Sequence, residues 1–70
     1  MGFLLIVYPT AREVFIDDVQ IGFTNTPFQV SNGNHRIDLG TNRDYTPSIR
    51  RVEVRGEPYA APRTTSFQPL

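Results

Sequence analysis

The chain has no cysteine, no tryptophan and no lysine, and its formal net charge is zero. Each absence excludes something. Without cysteine, neither a disulfide nor a thiolate zinc site can staple the fold. Without an excess of positive charge there is no electrostatic footprint for nucleic acid or for an anionic membrane. Without lysine, every side-chain cation is one of seven planar guanidiniums, the cation favoured at protein interfaces. Long apolar runs are missing too. The run from Phe3 to Tyr8 stops at Pro9 after six residues, with no basic residue before it. It suits neither a signal peptide nor a membrane span. Ile6 also stands where a myristoylation signal at Gly2 needs Ser or Thr. These features predict no membrane insertion and favour a cytoplasmic or virion-type assembly over a secreted protein, unless the chain is a fragment.

Seventy residues allow one domain. A chain this short buries only roughly 60% of its unfolded surface. Small unstapled domains gain stability from a partner, from self-assembly or from a larger host chain.

What the chain does have is strand signal. Phe3 to Tyr8 reads as a strand apolar on both faces. "EVFID" and "VQIG" are short and rich in β-branched residues. "PFQV" alternates, "SNGN" is a tight-turn signature centred on Asn32 and Gly33, and "HRIDL" places His35, Ile37 and Leu39 on one face. "GTNRDYTPS" is a loop by composition. "RRVEVR" then alternates Val52 and Val54 against Arg51, Glu53 and Arg55, a solvated face expected to hold cross-strand ion pairs. From Gly56 the pattern changes. "GEPYAAPRTTSFQPL" holds three of the six prolines and no period-2 pattern. It reads as an extended tail with one short edge segment near Thr64 to Phe67. No window carries helical periodicity. The expected fold is all-β: a small antiparallel β-sandwich of about six short strands, spanning residues 1–56, with a proline-containing C-terminal tail over 57–70.

Asp17 and Asp18 interrupt "VFIDDVQIG" between two alternating pairs, Val14 with Ile16 and Val19 with Ile21. A two-residue hairpin turn needs positive φ, which Asp tolerates better than most residues. Both residues are therefore structural, a hairpin tip facing solvent.

"GFLLIVYPTAREVFIDDVQIG", "TPFQV", "NGNHRIDL", "DYTPS" and "RRVEV" follow one another in an order that resembles the PEGA domain, a small all-β module of bacteria and archaea. Pro9, Asp17, Gly22, Thr26-Pro27, Gly33, His35, Tyr45 and Pro47 fall on that family's marked positions. The sequence departs from the pattern where Asp18 replaces the turn glycine, Ala11 and Arg12 replace Gly-Ala, and Asp44 replaces the glycine before Tyr45. Phe23 to Asn25 also lengthen the link to Thr26-Pro27. The resemblance implies a prealbumin-like sandwich, often envelope-associated, used for adhesion or protein binding. It implies no shared catalytic residue.

Chemistry finds little to work with. His35 is the only imidazole and sits in an alternating strand, which reads as a partly buried sheet histidine rather than a catalytic base. The acidic residues Glu13, Asp17, Asp18, Asp38 and Asp44 lack calcium-loop spacing. Arg36, Arg50, Arg51 and Arg55 are interleaved with acids, which weakens a nucleic-acid reading. A sugar platform would rest on Tyr8, Tyr45 and Tyr59 without help from tryptophan. No catalytic, metal or cofactor residue is assigned. The expected function is a non-catalytic structural or protein-interaction subunit of a larger assembly, with a glycan- or peptide-binding envelope module as the alternative. The candidate interaction residues are Phe3 and Leu5 on a strand with no polar face, and Tyr59, Phe67 and Leu70 on the tail. An arm of that kind would dock on this domain's open edge or on a neighbour.

Overall fold

Alternation decides where the strands form. β1 (Gly2–Val7), β2 (Glu13–Ile16), β3 (Val19–Phe23), β4 (Phe28–Val30), β5 (Gly33–Asp38), β6 (Tyr45–Thr46), β7 (Arg50–Val54), β8 (Arg63–Ser66) and β9 (Gln68–Pro69) make up the computed structural model, which describes residues 1–70 and contains no helix. Leu4 and Ile6 of β1, Val14 and Ile16 of β2, Ile37 of β5, and Val52 and Val54 of β7 are all buried at every second position. That is the period of a strand with one face on a core.

Two sheets carry these residues, one ordered β4-β1-β8 and the other β3-β2-β5-β7, while β6 and β9 form a two-stranded ribbon. Twelve hydrophobic side chains form one cluster between them, drawn from both main sheets and from Tyr45 and Phe67 of the ribbon region. Each such side chain, fully buried, contributes about 1.5–3 kcal/mol. The chain is therefore all-β, a small sandwich.

Three expectations change. The sheets are not wholly antiparallel, because β8 pairs with β1 in parallel register, Leu5 beside Thr64 and Ile6 beside Thr65. The supposed tail is part of the sandwich: β8 supplies an edge strand, and Phe67 is 1% exposed. The core needs a large side chain at that end, and the Phe67 ring meets Tyr45 edge-on at 5.5 Å. By contrast, the outer face of β1 stays partly open, as a strand with no polar face in so small a sandwich implies: Phe3 and Leu5 are half-buried and Val7 is exposed. Finally, the arginines of β7 find no cross-strand acid. Arg51 lies opposite Arg36, and the ion pair on this strand runs along it, from Arg55 to Glu53 at 2.7 Å.

The loops that cross between sheets are tied by side chains. Asn25 donates its N–H to the Ile6 carbonyl at 2.7 Å, and its Oδ1 accepts from Tyr8 N–H at 3.1 Å. The buried Thr24 hydroxyl accepts from Arg12 N–H and donates to the Thr10 carbonyl, both at 2.8 Å. The Arg12 guanidinium sits 5.5 Å from the Tyr8 ring centroid and 5.6 Å from that of Tyr45. It also donates to Asp44 Oδ1 at 2.9 Å. One side chain thus pins the 40–44 loop to the core rim.

Candidate functional site

β3 edges one sheet and β4 edges the other. Near Gly22 the two edges touch, because the Phe28 ring lies where a Cβ on Gly22 would stand, 2.7 Å from it. Only glycine permits that approach. Towards the β2–β3 turn the edges part and leave a slot of about 400 Å³. Its apolar wall is Met1, Ile16, Val19, Ile21 and Val30, and its polar end is Asp17, Ser31 and His35. Ile16 and Val30 are buried, whereas Met1, Val19 and Ile21 are 72%, 58% and 46% exposed.

A bulge in β3 shapes this wall. Gln20 pairs with Phe15 and Gly22 with Val14, so Ile21 has no partner in β2. A bulge bends its strand and re-aims a side chain, and here Ile21 joins Val19 on the slot. Gln20 Nε2 donates to the Gly22 carbonyl at 3.0 Å and so occupies one backbone acceptor in this strand. Phe23 adds a further exposed ring.

The polar end is built by register. Ile16 lies opposite Ile37, which carries Asp17 past Arg36 and His35. Asp17 and Asp18 occupy the turn with φ of 51° and 70°, the left-handed geometry of a two-residue hairpin. Asp18 is exposed and pairs with Arg36. Asp17 turns back: Oδ1 accepts from Arg36 N–H at 3.0 Å and Oδ2 from His35 Nδ1–H at 2.8 Å. These two hydrogen bonds, the backbone one first, hold the Asp17 carboxyl below its usual range.

The other ring nitrogen of His35 is also engaged. Nε2–H donates to the Ser31 carbonyl at 2.7 Å, and the Ser31 hydroxyl lies 3.5 Å away. The side chain is 10% exposed. The hydrogen bond to Asp17, then that to Ser31, raises the imidazole pKa above its ordinary value. Serine, histidine and aspartate therefore meet here, a convergence that the sequence reading did not anticipate. With the ring doubly protonated it is not a nucleophilic triad, because a general base must offer its lone pair to the hydroxyl. Here Nε2 spends a proton on the closer carbonyl instead.

The other residues singled out from sequence are scattered. Asn32 and Gly33 lie on the crossover from β4 to β5, with φ of 121° at Gly33, so this turn passes between sheets rather than closing a hairpin. Phe3 packs edge-on against Tyr59 at 5.3 Å, Leu5 is half-buried beside it, and Tyr59 is 65% exposed. Phe67 belongs to the core, and Leu70 is exposed at the far end of the ribbon. The uncharged run "VQIGF" was the one usable sign of the slot in the sequence. No group of three or more His, Asp or Glu side chains is placed to hold a metal ion. No protein-family model matches the chain, and no curated protein or solved structure is detectably similar to it.

Proposed function

We propose that this chain is a non-catalytic structural and protein-interaction subunit that associates through the β3 edge and the slot beside it. One observation carries the reading. β3 has no charged residue and exposes Val19, Ile21 and Phe23 next to an open apolar slot. Edge strands that stay single are usually blunted by charge, and this one is not. The ordered motifs that resemble the PEGA domain support the same reading.

The occupant that fits best is a second copy of this chain. A formal net charge of zero, or of +1 with His35 protonated, leaves little long-range repulsion between copies, and a two-fold contact would set each slot against the other copy's protruding Val19 and Ile21. Side chains rather than a continuous ladder make the contact, given the bulge at Ile21. A glycan platform has less support, because Tyr8 and Tyr45 are buried and only Tyr59 is exposed.

Sedimentation velocity over a range of concentrations tests the proposal. The native chain should sediment as a dimer, and Val19→Lys as a monomer that keeps dispersed amide NMR signals. A native chain that stays monomeric at every concentration reached would refute it.

A further inference from the structure

The polar end of the slot joins segments from opposite sheets. Asp17 belongs to the β2–β3 turn of one sheet, while Ser31 follows β4 of the other. His35 stands between them with an oxygen acceptor on each ring nitrogen, 2.8 Å on one side and 2.7 Å on the other. Only the doubly protonated ring donates to both. A neutral ring has one N–H, so one nitrogen lone pair would face an oxygen lone pair at hydrogen-bond distance. With little solvent access, water cannot easily relieve that repulsion.

We propose that His35 is a proton-operated latch on the slot: as the imidazolium it ties the β2–β3 turn to the β4–β5 crossover, and on losing a proton it releases the crossover. This rests on reading the slot as a docking surface. The Asp17 contact is the one retained, because the carboxylate holds the Nδ1 proton. At Nε2 the carbonyl must then be exchanged for a donor. The Ser31 hydroxyl, 3.5 Å away, is in reach to supply one once the crossover shifts.

The surroundings favour the cation. Asp17 faces the ring directly, and Asp18 is taken up by Arg36. Arg36 follows His35 on β5, and Arg51 and Glu53 flank Val52, its register partner on β7. Arg63 of β8 borders the same surface. The β4–β5 crossover contributes only the uncharged Ser31, and the slot side contributes the hydrophobes Ile16, Val30 and Met1. The hydrogen bonds to Asp17 and to Ser31 place the folded pKa above the ordinary value of about 6.5. A raised folded pKa gives stability that is fully present below the unfolded value and is lost as pH rises through the folded one. The latch is therefore closed on the acid side and opens towards alkali.

His35 is the sole histidine, so long-range proton–nitrogen NMR reports on it without ambiguity. At about pH 5.5, below the ordinary imidazole value, both ring nitrogens should carry protons. The melting temperature should fall by about 4–8 °C as the ring titrates, the shift that loss of one such contact produces in a domain of this size. That slope should vanish in His35→Gln and steepen in Ser31→Ala, which keeps the carbonyl but removes the replacement donor. Dimerisation should weaken over the same pH interval in the native chain and stay level in His35→Gln. A ring neutral at the acid end, or an unchanged slope in His35→Gln, overturns the latch. If the ring titrates as stated while the chain is monomeric throughout, the latch stands and the docking reading falls.

Discussion

Asp18 holds φ at 70° with a Cβ that this conformation disfavours, and its carboxylate pairs with Arg36 at the surface. Glycine would remove the steric conflict at once. Replacing Asp18 with Gly should stabilise the domain by roughly 0.5–1 kcal/mol through the backbone, less whatever the exposed ion pair supplies, which is little at a solvated turn. A higher urea midpoint with an unchanged m-value is the expected result; a lower midpoint would show that the pair outweighs the strain. Asp17 beside it has the same backbone geometry but different duties, because its two oxygens hold Arg36 N–H and His35. A glycine there would relieve the same strain and cut both contacts. The two neighbours look alike in sequence and differ in consequence because the β2–β5 register brings Asp17 onto the β5 backbone and His35, while Asp18 meets only the Arg36 side chain at the surface.

At the scale of elements, the strands legible in sequence are those with an alternating pattern. β2, β5 with the residue after it, and β7 show Val14 with Ile16, Ile37 with Leu39, and Val52 with Val54, and all six side chains are buried. β6 and β9 span two residues each and are too short to carry any period. β8 reads "RTTS" and has no hydrophobe of its own, so only the apolar β1 beside it explains its place. Parallel pairing left no local trace either, since the connection from β1 to β8 is most of the domain. The slot was hidden for a similar reason, because its walls come from residues distant in the chain. The latch pairs residues 18 apart, a distance that only strand register can close. Phe67 was visible as a hydrophobe needing cover, but the cover is this domain's own core. Removing residues 63–70 should therefore abolish the fold, since it strips β8 from β1 and empties the Phe67 site, a loss of about 3–5 kcal/mol from the side chain alone. Dispersed amide NMR signals from the truncated chain would show instead that the segment is dispensable.

For the whole molecule, small size and zero net charge make stability depend on a few titrating contacts. Two carboxyls set the acid limb. Asp17 is held below its ordinary value by the Arg36 N–H and then by His35, and Glu57 by the Arg55 N–H first. A lowered folded pKa gives stability that is present above the unfolded value, near 3.9 for Asp and 4.3 for Glu, and is lost as pH falls through the folded one. Each protonation also takes one negative charge from a chain with seven guanidiniums, which adds self-repulsion in the compact state. His35 sets the other limb with the opposite sign, its contribution fading as pH rises above about 6.5. The two limbs together place greatest stability between about pH 4.5 and 6.5, on the acid side of neutrality. Urea midpoints measured across the acid range should fall steeply in the native chain. Asp17→Asn should be less stable at the plateau and shallower below it, because it cannot lose a charge it never had. It should also move the His35 titration downward, since the carboxylate that favours the imidazolium is gone. An Asp17→Asn variant with the native acid slope and an unmoved histidine would mean that the Asp17–His35 pair does not govern the stability of this domain.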